Sequence, residues 1–369
     1  MIVLLRANAS AAETRAVEAA LARAGASARR VRGSGRVALE VIGPYAPFDA
    51  AALAGLAALD AVESVLAADE PNPRVSAAHG PVTVDTPVGP VAVGGDEWTL
   101  MLGPCAVENE PDLVAAAAAA HQAGARLLRG GAFKPRTSPY AFQGLGDDGL
   151  PLLRRVADAF GLAVVSEATS EAAVARVAEY CELLQIGART MAASSLLKAA
   201  ARAGRPILLK RGFGATVDEW LAAAEYLLDG GAPGVILCER GIRSFEPGTR
   251  ATLDLGGLAL AKLRTGLPVI ADPSHAAGTR ALVEPLARAA LAAGADGLIV
   301  ECHAEPGRAR SDGPQALTPD DVAALARAVA RLAPALGRRA PVPKPLSCTN
   351  VCQPLQTTTS APRSSASPR

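Results

Sequence analysis

Residues 126–145 read RLLRGGAFKPRTSPYAFQGL. A short apolar run, Arg126-Leu127-Leu128, is followed at once by three cations, Arg129, Lys134 and Arg136. Gly130 and Gly131 permit a tight turn after the run. Pro135 and Pro139 keep the segment out of a helix and stiffen it. The unit is therefore a buried strand that ends in a stiff basic loop. Arg offers such a loop a planar fork for carboxylate or phosphate, and Lys a point charge. Taken alone, the same loop reads equally well as a solvated basic surface. What decides between these readings is that the unit recurs along the chain.

From Trp98 onward, apolar runs alternate with Ala-rich helical segments. The runs are residues 99–102, 126–128, 162–165, 182–186, 206–209, 234–237, 267–271 and 297–300. Segments apolar on both faces fit parallel strands covered by helices. Helix starts carry caps, Thr216 with Glu219 and Thr318 followed by Pro319. Eight such βα units predict an α/β fold, a closed (β/α)8 TIM-type barrel over residues 98–338. An open doubly wound sheet is the structural alternative, but no Gly-rich dinucleotide fingerprint follows the first run.

Outward from the barrel, residues 1–70 read as a separate small unit. A strand at 2–5 leads into a helix at 11–24, with Ser10 as N-cap and Gly25 beyond its end. Residues 28–32 and 36–42 form a hairpin, followed by a helix at 48–59 and a strand at 62–67. The order βαββαβ is ferredoxin-like, and it predicts a regulatory rather than a catalytic module. Residues 71–97 are a linker and a hairpin, the latter pairing 82–84 with 88–93. Residues 339–369 are rich in Pro, Ser and Thr and lose all periodicity, which predicts a disordered tail. Cys348 and Cys352 in that tail form a lone C-x3-C, a weak signal for a partial metal or redox pair.

Half of the 369 residues are apolar and only 3% are aromatic, so the core must be built from aliphatic side chains. The net charge is +1, which makes no case for nucleic acid or a membrane surface as partner. No apolar run approaches the ~20 residues of a membrane span. The N-terminus lacks the charged region of a signal peptide, and the six cysteines do not form a disulfide framework. A cytoplasmic location follows as the expectation.

Barrels of this type carry their active sites at the C-terminal ends of the strands. There the chain places, in turn, Cys105; Arg129 with Lys134 and Arg136; Glu167; Arg189; Lys210 with Arg211; Glu239 with Arg240; Asp272 with His275; and Glu301. Arg129, Lys134, Arg136, Arg189, Lys210 and Arg240 form a cationic set whose members repel one another unless anions neutralise them. Small phosphorylated or carboxylated metabolites are the natural occupants. Cys105, His275, Glu301 and Asp312 form a mixed thiol, imidazole and carboxylate set suited to a divalent first-row transition metal. Their wide spacing is also what buried structural residues would show. The set gains meaning because the first, seventh and eighth strands are neighbours in a closed barrel. Strand alternation turns Cys302 away from Glu301.

The stretches GPCAVEN, LLRGGAFKPRTSPYAFQGLG, QIGAR, ILLKRGF, ILCERGIRSFE, DPSHAAG and ECHAEP with SDGPQAL resemble the 3-deoxy-D-arabino-heptulosonate 7-phosphate (DAHP) synthases. The resemblance is to the microbial branch with an N-terminal ferredoxin-like or ACT-like regulatory domain, and it covers residues 1 to about 337. Related octulosonate phosphate synthases share the barrel but read Lys-Ala-Asn-Arg where this chain has Lys134-Pro135-Arg136-Thr137. The resemblance implies condensation of phosphoenolpyruvate with erythrose 4-phosphate. It implies that Arg129 and Lys134 hold the carboxylate of phosphoenolpyruvate, and that Arg189, Lys210 and Arg240 hold its phosphate. Arg136 and Thr137 would bind the phosphate of erythrose 4-phosphate, with Asp272 nearby. Cys105, His275, Glu301 and Asp312 would ligate Mn2+, Fe2+, Co2+ or Zn2+, and Lys134, Cys105 and His275 would be the catalytic residues. It further implies a homo-oligomer, with a tetramer as the expectation, and Tyr or Phe as effector at the N-terminal domain. The chain departs from many relatives at Thr190-Met191-Ala192-Ala193-Ser194, and at Cys302 and Ala304.

Overall fold

The computed structural model describes residues 1–33, 36–42, 50–66, 72–77, 79–134, 138 and 140–346. The N-terminal unit runs β1 (Ile2–Leu5), α1 (Ala11–Arg23), β2 (Ser27–Gly33), β3 (Arg36–Ile42), α2 (Ala50–Ala57) and β4 (Val62–Leu66). Its strands lie in the order β2-β3-β1-β4, with every pair antiparallel, as the ferredoxin-like reading requires. Ser10 caps α1 in a capping box with Glu13. Val3, Leu5, Leu39, Val17, Leu21 and Val62 form its core.

Two short strands follow, β5 (Val82–Val84) and β6 (Val91–Val93), paired as an antiparallel hairpin. The second arm is shorter than the 88–93 expected, because Val88 and Gly89 sit in the turn. Their carbonyls accept hydrogen bonds from the Arg126 guanidinium. Val82, Val84 and Val93 pack among the inward side chains of the barrel, such as Met101, Leu127 and Ile299. The hairpin thus stoppers the end of the barrel from which the strands start.

The barrel strands are β7 (Thr99–Gly103), β8 (Leu127–Arg129), β9 (Ala163–Ala168), β10 (Leu183–Ile186), β11 (Ile207–Lys210), β12 (Val235–Glu239), β13 (Val269–Ala271) and β14 (Gly297–Glu301). All are parallel to their neighbours, and β14 closes onto β7 with Gly297 opposite Thr99 and Glu301 opposite Gly103. Between them lie α3 (Glu110–Gln122), α4 (Gly149–Ala159), α5 (Glu171–Ala178), α6 (Ser194–Ala201), α7 (Val217–Asp229), α8 (Leu255–Arg264), α9 (Pro273–Ala277) and α10 (Arg280–Ala292). After β14 comes α11 (Pro319–Leu332). The expected caps form at Thr216 with Glu219 and at Thr318 with Pro319 in the first turn. No helix among the described residues is long and apolar enough to cross a membrane.

Alternation along each strand sorts the side chains into two layers. Met101, Leu127, Val165, Leu183, Leu208, Ile236, Ile270 and Ile299 fill the barrel interior. Leu100, Leu102, Leu128, Leu184, Leu209, Leu237 and Val300 face the helices, and Cys302 packs with them as expected. Gly103 lies where β7 runs closest to β8. Its φ is 151°, and a Cβ there would overlap the Arg129 carbonyl oxygen, so only glycine fits.

Of the expected tail, residues 339–346 are described. Arg339 bonds the segment before β7, donating to the Asp96 carbonyl and accepting from the Trp98 amide, 2.9 and 3.0 Å. Residues 347–369, with Cys348 and Cys352, lie outside the described residues.

Candidate active site at the barrel mouth

Alternation also decides which polar residues enter the barrel mouth. The last inward positions are Arg129, Glu167, Gln185, Lys210, Arg240, Asp272 and Glu301, with Gly103 completing the ring. Below them the interior is filled by buried apolar side chains, where electrostatic interactions are less screened than in water.

At the centre, Cys105, His275, Glu301 and Asp312 converge, and one ligand atom from each lies within 4.8 Å of the others. The Cys105 thiol donates to Asp312 Oδ2 at 3.0 Å and accepts from the Ser311 hydroxyl at 3.1 Å. His275 Nε2 is 3.2 Å from Glu301 Oε1 and 3.7 Å from Asp312 Oδ2. On its other side, His275 Nδ1 meets Asp272 Oδ2 at 2.7 Å, which leaves the Nε2 lone pair aimed into the cluster. Glu301 is steadied by Gln315, whose Nε2 donates to Oε2 at 2.8 Å, and by Arg129 at 3.1 Å. Asp312 has φ 54°, the one non-glycine residue with positive φ among the described residues. Backbone strain of this kind costs about 1–3 kcal/mol and collects at functional sites. Arg250 holds its other oxygen at 3.0 Å.

The donor set fits a divalent transition metal. A lone-pair nitrogen, two carboxylates and a thiol share a few ångströms, which is unfavourable until a cation sits among them. Burial works against the Asp312 carboxylate, yet His275 and Arg250 outweigh it and hold the carboxyl below its usual range. Burial pushes His275 down from its usual value, against the pull of Asp272 and Glu301, and an imidazole ligates a metal in its neutral form. Carboxylate-oriented imidazole is the arrangement seen around bound metals generally.

The cations surround this cluster. Arg129 is buried and also donates to the Pro104 carbonyl at 2.8 Å. Lys134, which closes over Gly131, lines a cavity with Arg129, Glu167 and Gln185. Lys210 and Asp272 form a buried ion pair. Asp272, read from the sequence as a sugar-phosphate contact, thus commits its carboxylate to Lys210 and His275. Burial opposes its charge, but His275 and Lys210 prevail and keep it ionised. Arg240 is buried, and Arg189 is exposed beyond the end of β10. Arg136 and Thr137 lie outside the described residues.

Two strand-end residues turn the other way. Arg211 and Glu239 face the helices and form a buried pair at 3.0 Å, with Asp254 at 2.8 Å as third member. They support the mouth from behind. Burial raises the Glu239 carboxyl above its usual value, although Arg211 pulls it down. Arg211→Met is expected to cost about 3–5 kcal/mol, because it strands a buried carboxylate. In the variant Glu239 titrates higher in the folded than in the unfolded chain. Its stability should therefore recover as pH falls from neutral and be lost as pH rises. Guanidinium melts of both proteins across that range would show this, and parallel pH curves would refute it.

Several site residues escaped the sequence reading. Gln185, which donates to Glu167 at 3.2 Å, could have been found by counting alternate residues along β10. Ser311, Gln315, Arg250 and Phe213 arrive on loops whose course no local pattern foretells.

Residues 76–337 match the model of the DAHP synthetase I family. The chain belongs to that family. Phospho-2-dehydro-3-deoxyheptonate aldolase of Thermotoga maritima is 46% identical over 279 residues, 76% of this chain and 82% of that protein. A 2-dehydro-3-deoxyphosphooctonate aldolase of Methylobacterium radiotolerans is 36% identical over 264 residues, 64% of this chain and 92% of that protein. The crystal structure of the Thermotoga maritima DAHP synthase superposes with TM-score 0.71 at 39% identity, covering 92% of this chain and 98% of that one. Its truncated form gives TM-score 0.65 at 42% identity, over 71% and 95%.

Proposed function

We propose that the chain condenses phosphoenolpyruvate with erythrose 4-phosphate and water to give 3-deoxy-D-arabino-heptulosonate 7-phosphate and inorganic phosphate. This is the entry step of the shikimate pathway and of aromatic amino acid biosynthesis. One observation carries the reading: cations ring a thiol, imidazole and carboxylate cluster at a single mouth of a chain whose net charge is +1. Arg129 and Lys134 bind the carboxylate of phosphoenolpyruvate, and Arg189, Lys210 and Arg240 its phosphate. Arg136 and Thr137 take the phosphate of the aldose. Holding two anions in contact supplies a large proximity contribution.

Cys105, His275, Glu301 and Asp312 would hold a divalent transition metal, which supplies Lewis acidity toward a carbonyl oxygen when bound. The vinyl carbon of phosphoenolpyruvate forms a bond to the aldehyde carbon, and Lys134 donates a proton to the oxygen left behind. Water adds to the cationic centre at the former enol carbon. The added water gives up one proton, which restores Lys134. The carbon–oxygen bond to phosphate then breaks, phosphate leaves with the electron pair and takes the proton of the new hydroxyl, and the keto group forms.

Coupled disappearance of both substrates with equimolar phosphate is the test. Turnover of arabinose 5-phosphate in place of erythrose 4-phosphate would favour the octulosonate-type alternative. Binding of Tyr or Phe with no turnover would favour a non-catalytic sensor. We further propose the division into residues 1–70, 71–97, 98–338 and 339–369, a homotetramer, a cytoplasmic setting, and an aromatic effector acting on the N-terminal unit.

The Cys105 thiol is pushed up to about 12 by burial and by Glu301 beside it. It is protonated at neutral pH, so ligation must expel a proton. Metal affinity is therefore expected to rise with pH between about 6 and 8, by up to about tenfold per unit. Titration calorimetry in buffers of different ionisation enthalpy should count about one proton released. A count near zero would remove Cys105 from the ligand set.

A further inference from the structure

Phe213 follows β11 in the loop that leaves the barrel, half-buried at the rim. Its ring centroid lies 4.6 Å from the Arg240 guanidinium carbon, 5.4 Å from that of Arg189 and 5.6 Å from that of Arg243. All three fall within the ~6 Å over which an aromatic face attracts a cation. They come from two different loops, after β10 and after β12. The Arg243 amide donates to the Phe213 carbonyl at 2.8 Å, which ties the second loop to the ring. Among the described residues, the hydrogen bonds of Arg240 are long, 3.3 Å each, to the Gly241 and His275 carbonyls. Among the described residues, none of the three arginines has a carboxylate within ion-pair distance, although ion pairs are common elsewhere in the barrel. Three like charges therefore crowd around one ring, and its negative face is the feature that favours their convergence.

We infer that Phe213 is a positioning residue whose ring gathers Arg189, Arg240 and Arg243 into one face for the phosphate of the substrate. The inference rests on the proposed phosphoenolpyruvate site and adds Arg243 and Phe213 to it. Arg189 is exposed, so without the ring it is free to swing into solvent, away from Arg240. The ring lowers the ordering cost that phosphate binding would otherwise meet.

The experiment compares wild type with Phe213→Leu and Phe213→Tyr. Phe213→Leu is expected to raise KM for phosphoenolpyruvate, and the inhibition constant of inorganic phosphate, by about five- to tenfold. Its kcat should move less than KM. Phe213→Tyr keeps the aromatic face and should restore both constants. Thermal melts check folding, and if the leucine variant melts early, Phe213→Met fills similar volume without the face and carries the same expectation. Leu and Tyr variants with equal constants, or a KM unmoved in Phe213→Leu, would overturn the inference. If wild type does not turn over the two substrates, the functional reading fails. Calorimetric phosphate binding by wild type and Phe213→Leu still tests the ring by itself.

Discussion

Cys105→Ala and His275→Ala are each expected to abolish turnover and to lose metal affinity by at least about a hundredfold. Residues that merely orient a ligand cost about 10–100-fold when removed. Cys105 and His275 stand among the converging donors themselves, so their loss should exceed that range. The wild-type protein, treated with chelator, should lose activity and regain it with Mn2+ or a similar ion. The two variants should not regain it. Asp272→Asn makes the comparison sharper, since it removes the charge that orients His275 Nδ1 but leaves all four donors. It should fall between wild type and the ligand variants. Far-UV circular dichroism and melting curves must show the variants folded. Chelated wild-type enzyme that keeps full activity would end the metal reading, whatever the variants do.

Lys134→Ala is expected to lower kcat by about 10²–10⁴-fold, the range over which a positioned general acid acts. Lys134 is buried at the barrel mouth beside Arg129 and Glu167. Two functions are assigned to this one ammonium group, binding the substrate carboxylate and delivering a proton. Lys134→Arg separates them. The guanidinium keeps the charge and can bind a carboxylate, but it does not surrender a proton near neutral pH. Phosphoenolpyruvate affinity should therefore largely survive in Lys134→Arg while kcat stays low. Should Lys134→Arg turn over at the wild-type rate, proton delivery must come from elsewhere. Steady-state kinetics paired with calorimetric binding distinguishes the cases.

Much of this was legible along the chain. Parallel strands buried on both faces have to be continuous apolar runs, and eight of them between capped helices leave few architectures. Residues 126–128 announce their strand, yet the strand is Leu127–Arg129. The shift arises because Arg126 turns to bond the hairpin below the barrel, at Thr86, Val88 and Gly89. That hairpin shows in the sequence as two valine-rich arms, but not that it seals the barrel floor. The candidate donor set spans 207 positions of the chain, from Cys105 to Asp312. It was accessible only because a closed barrel makes its first and last strands neighbours.

What the sequence determined by itself was periodicity: where strands and helices fall, which end of each strand is polar, and that cations collect there. Periodicity is local, set by the two-residue repeat of a strand and the 3.6-residue repeat of a helix. Only the closed sheet decided phase and partnership. It paired Arg211 with Glu239 and Asp254 behind the mouth, and gave Asp272 to His275 and Lys210. It also brought Phe213 beneath three arginines. Those outcomes depend on sheet closure and on the paths of loops, and both are settled by contacts between segments far apart in the chain.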